Sequence, residues 1–202
     1  MASQKHRICI VVGSLRRGSI NRRMAHAIAA LAGYRLDCRI VEIGDLPLYN
    51  QDDDADPSPP VVAFRDAIRA VDGVLFVTPE YNRGVPGVLK NAIDTGSRPY
   101  GQSVWDKKPA AIVSVSPGAL GGFGANHHLR QSLVFLNMPA MQQPESYLGR
   151  IGDDSFGDDG QLKDGPLKTL TLNLAHAFAD WIDLIVRGRQ QIAEDAAHSA
   201  KG

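Results

Sequence analysis

Ile8-Cys9-Ile10-Val11-Val12-Gly13-Ser14-Leu15-Arg16-Arg17-Gly18-Ser19-Ile20-Asn21-Arg22 is the stretch from which the fold can be read. It opens with an unbroken apolar run, Ile8 to Val12. Ile20, Met24, Ile28 and Leu31 then recur at helical spacing. A buried strand therefore passes through a short polar turn into the start of a helix. The first N–H groups of a helix have no intrahelical partner, and the helix dipole puts partial positive charge at that end. Gly13 and Gly18, Ser14 and Ser19, and Arg16 and Arg17 stand in the turn. Such a turn is built to hold an anion, and a phosphate suits it well. The reading implies a protein anchored to a phosphate-bearing cofactor or nucleotide.

Outward from this turn, further strands follow. Leu36–Ile43 alternates in part, as an outer strand does. Val74–Thr78 and Ala110–Val115 are apolar almost throughout, the habit of parallel strands covered on both faces. A weaker fifth strand is expected around Ala140-Met141. Helical spacing is read over Pro59–Val71, over Val85–Thr95 with Pro86 near the first turn, over Asn126–Met138, and from Leu167 to Ile185. The alternation implies an α/β sandwich with right-handed crossovers. One domain is expected over residues 1–188, with a frayed tail over 189–202. The acidic stretch Asn50–Ser58 reads as a solvated loop, and Gly149–Gly165 as a mobile one.

Composition excludes several classes. The 202 residues hold 22 basic and 22 acidic side chains, so no global field favours nucleic acid or an anionic membrane. No apolar run approaches the roughly 20 residues of a membrane span. Met1–Arg7 lacks the apolar region of a secretory signal. Cys9 and Cys38 form no CxxC pair and are expected as free buried thiols in a cytoplasmic protein. No GxGxxG, no GK[ST] and no GxSxG occurs where a dinucleotide site, a Walker loop or a hydrolase elbow needs one. His127 and His128 are adjacent and point about 100° apart on a helix, so no metal site is expected there.

In open parallel sheets ligands bind beyond the carboxyl ends of the strands. After the third strand comes Thr78-Pro79-Glu80-Tyr81-Asn82-Arg83-Gly84, and after the fourth Ser116-Pro117-Gly118-Ala119-Leu120-Gly121-Gly122. With the anion turn, three Gly/Pro-rich loops converge on one edge. Their backbone groups can read the rim of a planar heterocycle, and Tyr81 offers an aromatic wall.

The pattern GSLRRGSINR, then PEYN followed by VPGVLKNAID, then SPG with GG soon after, resembles the flavodoxin-like NAD(P)H-dependent FMN reductases, in particular their chromate and quinone reductase branch. The resemblance runs from about Arg7 to Arg187. It implies a three-layer sandwich with a five-stranded parallel sheet in the order 2-1-3-4-5. It also implies one FMN per subunit, NADPH or NADH as co-substrate, and a homodimer or homotetramer. Acceptors would be small molecules: quinones, free flavin, chromate and similar oxidants, in a ping-pong cycle with hydride passing through FMN N5. Position by position, Ser14, Arg16, Ser19, Asn21 and Arg22 match the phosphate turn. Pro79, Glu80, Tyr81 and Asn82 match the loop beside the isoalloxazine, and Ser116, Pro117 and Gly118 the loop on its other side. Glu80 and Asn82 are expected to act through backbone groups, so that replacing their side chains does little. Asp94, Arg98 and Tyr100 are expected near a dimer boundary. No side chain is expected to be catalytic, because the flavin carries the chemistry. Relatives commonly have a tryptophan after KNAID, where this chain has Thr95-Gly96. A flavodoxin-type electron carrier and a non-catalytic flavin-binding protein are the alternatives.

Overall fold

A computed structural model describes residues 5–199. The strands β1 (His6–Val12), β2 (Leu36–Val41), β3 (Gly73–Thr78), β4 (Ala110–Val115) and β5 (Tyr147–Leu148) form one sheet in the order β2-β1-β3-β4-β5. Every pairing is parallel. The helices are α1 (Ile20–Ala32), α2 (Pro59–Arg69), α3 (Gly87–Gly96), α4 (Phe123–Phe135) and α5 (Pro166–Ser199). This is the flavodoxin-like arrangement expected.

β3 and β4 are buried along their whole length, as their apolar runs require. One face of the sheet packs on α1 and α5, through Met24, Ile28, Leu174 and Phe178. The other packs on α2, α3 and α4, through Phe64, Ile68, Leu89, Leu129 and Leu133. Apolar side chains thus fill both layers, and all strand carboxyl ends emerge on one side.

Two expectations are corrected. The fifth strand is not at Ala140-Met141. Ala140 makes only an isolated bridge to Ala110, and β5 forms at Tyr147–Leu148, beside Ser114 and Val115. α4 begins at Phe123 rather than Asn126. Where a frayed tail is expected from 189, α5 continues as helix to Ser199 with side chains exposed from Gln190 onward. Residues 200–202 of that expected tail, and the first four of the N-terminal segment, lie outside the described residues. The acidic loop is solvated as expected, with Gln51–Asp53, Ala55 and Asp56 exposed, and it is locally ordered. Asn50 caps a short 3-10 turn at Gln51–Asp53, and Asp54 accepts a hydrogen bond from the Tyr49 hydroxyl at 3.2 Å.

Burial pushes the Cys9 thiol up to about 11 and the Cys38 thiol up to about 12. Neither carries an appreciable thiolate fraction at neutral pH.

Candidate active site

The β1–α1 turn folds tightly against β3. The Gly13 N–H donates to Val77 O at 2.9 Å. A Cβ at Gly13 would sit 2.9 Å from Thr78 Oγ1 and 3.1 Å from Leu89, so only glycine lets the turn approach this closely. Ser19 is the N-cap of α1, and its hydroxyl accepts the Arg22 N–H at 3.2 Å. The Ile20 and Asn21 N–H groups are left without an intrahelical acceptor. Ser14 and Ser19 are buried here, whereas Arg16 is exposed, its guanidinium held by Gly18 O at 2.8 Å.

Asn21 is 3 % exposed. Its Nδ2 donates to Val115 O at 3.3 Å, which links α1 to the end of β4. Its Oδ1 is buried with no partner among the described residues. Buried polar atoms are nearly always satisfied, so an acceptor left open here calls for a donor from outside the chain.

The loop after β3 turns sharply at its tip. Tyr81 and Gly84 exchange N–H and C=O bonds at 3.1 and 3.0 Å, with Asn82 (φ 51°) and Arg83 (φ 65°) left-handed between them. Two successive left-handed residues are the geometry of a tight hairpin turn, and asparagine tolerates it well. Two residues of α4 brace this loop. The Glu80 carboxylate accepts the Ala125 N–H at 3.0 Å, and His128 Nδ1 accepts the Val85 N–H at 3.3 Å. His127 instead faces Phe123 and bonds the Tyr147 hydroxyl at 3.0 Å. The two histidines thus serve different neighbours. In the loop after β4, the Ser116 hydroxyl accepts the Gly118 N–H at 3.0 Å, and Ser116 N–H donates to Leu148 O at 2.9 Å.

These three loops surround one cavity of about 320 Å³, lined by Ser14, Arg16, Ser19, Ile20, Asn21, Pro79, Glu80, Tyr81, Val115, Ser116 and Pro117. Three expected residues do not line it. Arg22 points to Glu42, with bonds of 2.8 and 2.5 Å that hold the Glu42 carboxyl below the usual carboxylate range. Asn82 sits at the hairpin tip, and Gly118 beyond the mouth-forming Pro117. Ile20 and Val115 line the cavity and were not singled out from sequence. Both are ordinary apolar residues of a helix start and a strand end, and carry no local signal.

The residues present fit FMN. Serine hydroxyls, an exposed arginine with no carboxylate partner among the described residues and the open N-terminus of α1 suit its phosphate. The unpartnered Asn21 Oδ1 suits a hydroxyl donor beside that phosphate. A parallel sheet in this order, with an anion turn at its first crossover and a cleft between the next two loops, defines a flavodoxin-like flavoprotein.

The profile of the NADPH-dependent FMN reductase family matches residues 6–153. A quinone reductase of Pseudomonas putida is 58 % identical over 183 residues, covering 90 % of this chain and 97 % of that protein. A 2-hydroxy-1,4-benzoquinone reductase of a Burkholderia species is 52 % identical over 176 residues, 87 % of this chain and 96 % of its own. The solved structure of FerB, a flavoenzyme NAD(P)H:(acceptor) oxidoreductase from Paracoccus denitrificans, superposes with a TM-score of 0.85 at 39 % identity, covering 88 % of this chain and 97 % of FerB. The chain belongs to the NADPH-dependent FMN reductase family. It is an NAD(P)H-dependent flavin oxidoreductase with FMN as cofactor.

Proposed function

We propose that the protein is a quinone reductase that works by alternating use of one open site, and that quinones, free flavin and chromate are its acceptor range. Support comes from the names of its relatives and from the cavity itself, whose only carboxylate, Glu80, is already engaged as the cap of α4. In this reading the flavin carries the chemistry, and the chain holds and orients it.

Ser14, Arg16, Ser19 and Asn21 hold the phosphate end in this reading. Pro79, Glu80 and Tyr81 flank one side of the ring, and Ser116 and Pro117 the other, with Gly118 shaping that loop behind them. Arg22 contributes only by steadying α1 through Glu42, and Asn82 by shaping the hairpin. FMN supplies, when bound, hydride acceptance from the nicotinamide and two-electron delivery to the acceptor. Tyr81 and Pro117 both line the cavity and are exposed, which leaves room for donor and acceptor to use the same face in turn.

A dimer through α3 and α4 belongs to the same proposal. Phe135 is 85 % exposed, Tyr100 is 90 % exposed, and Val134 is exposed close by. Phe135 and Tyr100, with Arg98, border a groove between the ends of these helices. A cytoplasmic location is supported by the free thiols and by the absence, among the described residues, of any helix long and apolar enough to cross a membrane.

The test is anaerobic. Yellow protein should bleach on mixing with NADPH or NADH and recover its colour with benzoquinone, giving parallel double-reciprocal lines in steady state. Protein that is reduced only by another redox protein, and not by either nicotinamide, would instead be an electron carrier.

A further inference from the structure

We propose that the outer face of the C-terminal half of α5 pairs antiparallel with the same face of a second copy of this chain, as an interface separate from the α3–α4 groove.

α5 changes character along its length. Leu174, Phe178 and Ile182 bury its first half against the sheet. From Gln190 to Ser199 every side chain is exposed, so this part of the helix stands clear of the domain. The segment from Leu184 to Ser199 runs about 24 Å at about 1.5 Å per residue.

Leu184, Gly188, Ile192 and Ala196 recur every four residues and form one row on this segment. All four are exposed, Leu184 at 63 % and Ile192 at 70 %. Leu184 follows Ile182 by two positions, about 200° round the helix, so the row faces away from the core. Large apolar side chains that turn outward together mark an interaction surface.

Gly188 is a residue the fold itself does not require. It lies in mid-helix, and a Cβ there would meet nothing within 4 Å among the described residues. Glycine weakens an exposed helix, and its benefit is that another backbone or side chain can come close. A second helix laid across this point supplies that close approach.

The row is complementary to itself in one orientation. In an antiparallel pair centred between Gly188 and Ile192, Ile192 enters the notch over Gly188 of the partner subunit, and Leu184 lies over Ala196 of the partner subunit. Each large side chain thus meets a small one. Rows at spacing four interdigitate at a crossing of about −50°.

Charge selects the same orientation. Arg187, Gln191 and Asp195 form the adjoining row. Placed antiparallel, the basic end of this row faces the acidic end of its copy; placed parallel, like charges face each other. Within its own chain Arg187 lies 4.0 Å from Asp183, whose oxygens are already held by His6 and Arg35. The Asp195 carboxylate accepts from the Gln191 amide at 2.9 Å. Glu194 and Asp195 also stand toward the C-terminal end of the helix, where its dipole disfavours anions, and Arg187 of the partner subunit offsets that cost. The contact is two-fold and closes on itself. One helix pair is a small interface, so association in the micromolar range is expected.

Sedimentation velocity of the full chain, from low to high micromolar concentration, tests the proposal. The wild type should double in mass as concentration rises, from dimer to tetramer if the α3–α4 dimer forms and from monomer to dimer if it does not. Ile192→Glu should remove this doubling. Gly188→Leu fills the notch and should remove it too, without loss of helical ellipticity, which separates a pairing role from a folding one. Arg187→Glu should move the doubling to at least about ten-fold higher concentration. Adding Asp195→Arg to that variant should restore it. Phe135→Glu, in the α3–α4 groove, should leave this doubling in place. The proposal is overturned if the wild type shows no such doubling, if the doubling survives Ile192→Glu and Gly188→Leu, or if the exchanged charges fail to restore it.

Discussion

The Glu80 carboxylate accepts the Ala125 backbone N–H at 3.0 Å, so the loop after β3 caps a helix that lies 45 residues further along the chain. The N-cap position of α4 is Gly122, left-handed at φ 75° and without a side chain to do the work. A carboxylate brought in from another loop satisfies the orphan donor and complements the helix dipole. The two loops that flank the flavin cavity after β3 and β4 are thereby tied together.

Glu80→Ala should therefore lower the stability of the FMN-free protein by about 1–2 kcal/mol, the usual cost of a lost cap plus its charge. Glu80→Gln keeps an acceptor and should lose about half of that. Thermal melts of both variants read the effect. Melting of Glu80→Ala together with the wild type would show that the side chain is idle, as the sequence alone had implied.

Arg16 in the β1–α1 turn and Arg22 in the first turn of α1 stand six positions apart and should behave differently. Arg16 is exposed and touches only Gly18 O, whereas Arg22 is committed to Glu42. Loss of a charge-assisted bond worth about 1.5–3 kcal/mol should weaken FMN binding roughly ten- to a hundred-fold in Arg16→Ala. The FMN-free stability of that variant should hardly change. Arg22→Ala should retain FMN within a few-fold. Fluorescence titration with FMN separates the two, and equal losses would contradict the assignment.

Gly96→Ala should destabilise through overpacking. A Cβ there would lie 2.5 Å from Trp105 Nε1, which donates to Ile93 O at 2.9 Å. The indole is fully buried between Phe64 and Phe76, with ring centroids at 5.9 and 5.8 Å, and cannot step aside. A cost of about 1–3 kcal/mol is expected from denaturant unfolding. An unchanged midpoint would show that the indole has room to move.

What the sequence made legible follows the strength of local signals. β1, β3 and β4 announce themselves because strands buried on both faces are continuous apolar runs. β5 has two residues, Tyr147 and Leu148, too short for any pattern. Ala140-Met141 is a reasonable decoy, since Met141 N–H does bond Ala110 O at 2.8 Å before the chain leaves the sheet. The start of α4 was hidden because its cap, Glu80, is distant in sequence. The end of α5 was hidden for another reason. Its apolar periodicity stops where the core stops, but Gln190, Gln191, Ala193, Glu194 and Ala196 are good helix formers that carry the backbone on. In the site, the serines, Arg16 and Asn21 were legible from one turn. The fate of Arg22 was not, because Glu42 reaches it from the far end of β2.

The base of the sheet carries a charge network with a pH signature. His6 Nε2 lies 2.7 Å from Asp183 Oδ1, and Arg35 reaches the other oxygen at 3.0 Å and Asp180 at 2.6 Å. The His6 hydrogen bond, reinforced by the charges of His6 and Arg187 and by the Arg35 hydrogen bond, holds the Asp183 carboxyl below the usual carboxylate range. The unfolded chain, with a value near about 3.9, then binds this proton more readily than the folded one. The stability is present above that value and is lost as pH falls through the lower folded one. Asp183→Asn should be less stable than the wild type near pH 5, and the margin should close as pH falls below about 4. Urea midpoints across that range read it, and a margin that persists into acid would deny the linkage.

The account rests on the phosphate of FMN lying where β1 hands over to α1. A crystal structure of the FMN-loaded protein tests this most directly. Phosphate oxygens should lie within about 3 Å of the Ser14 hydroxyl, the Arg16 guanidinium and the first N–H groups of α1. A flavin whose phosphate sits away from that turn, with Ser14 and Arg16 untouched, would contradict it.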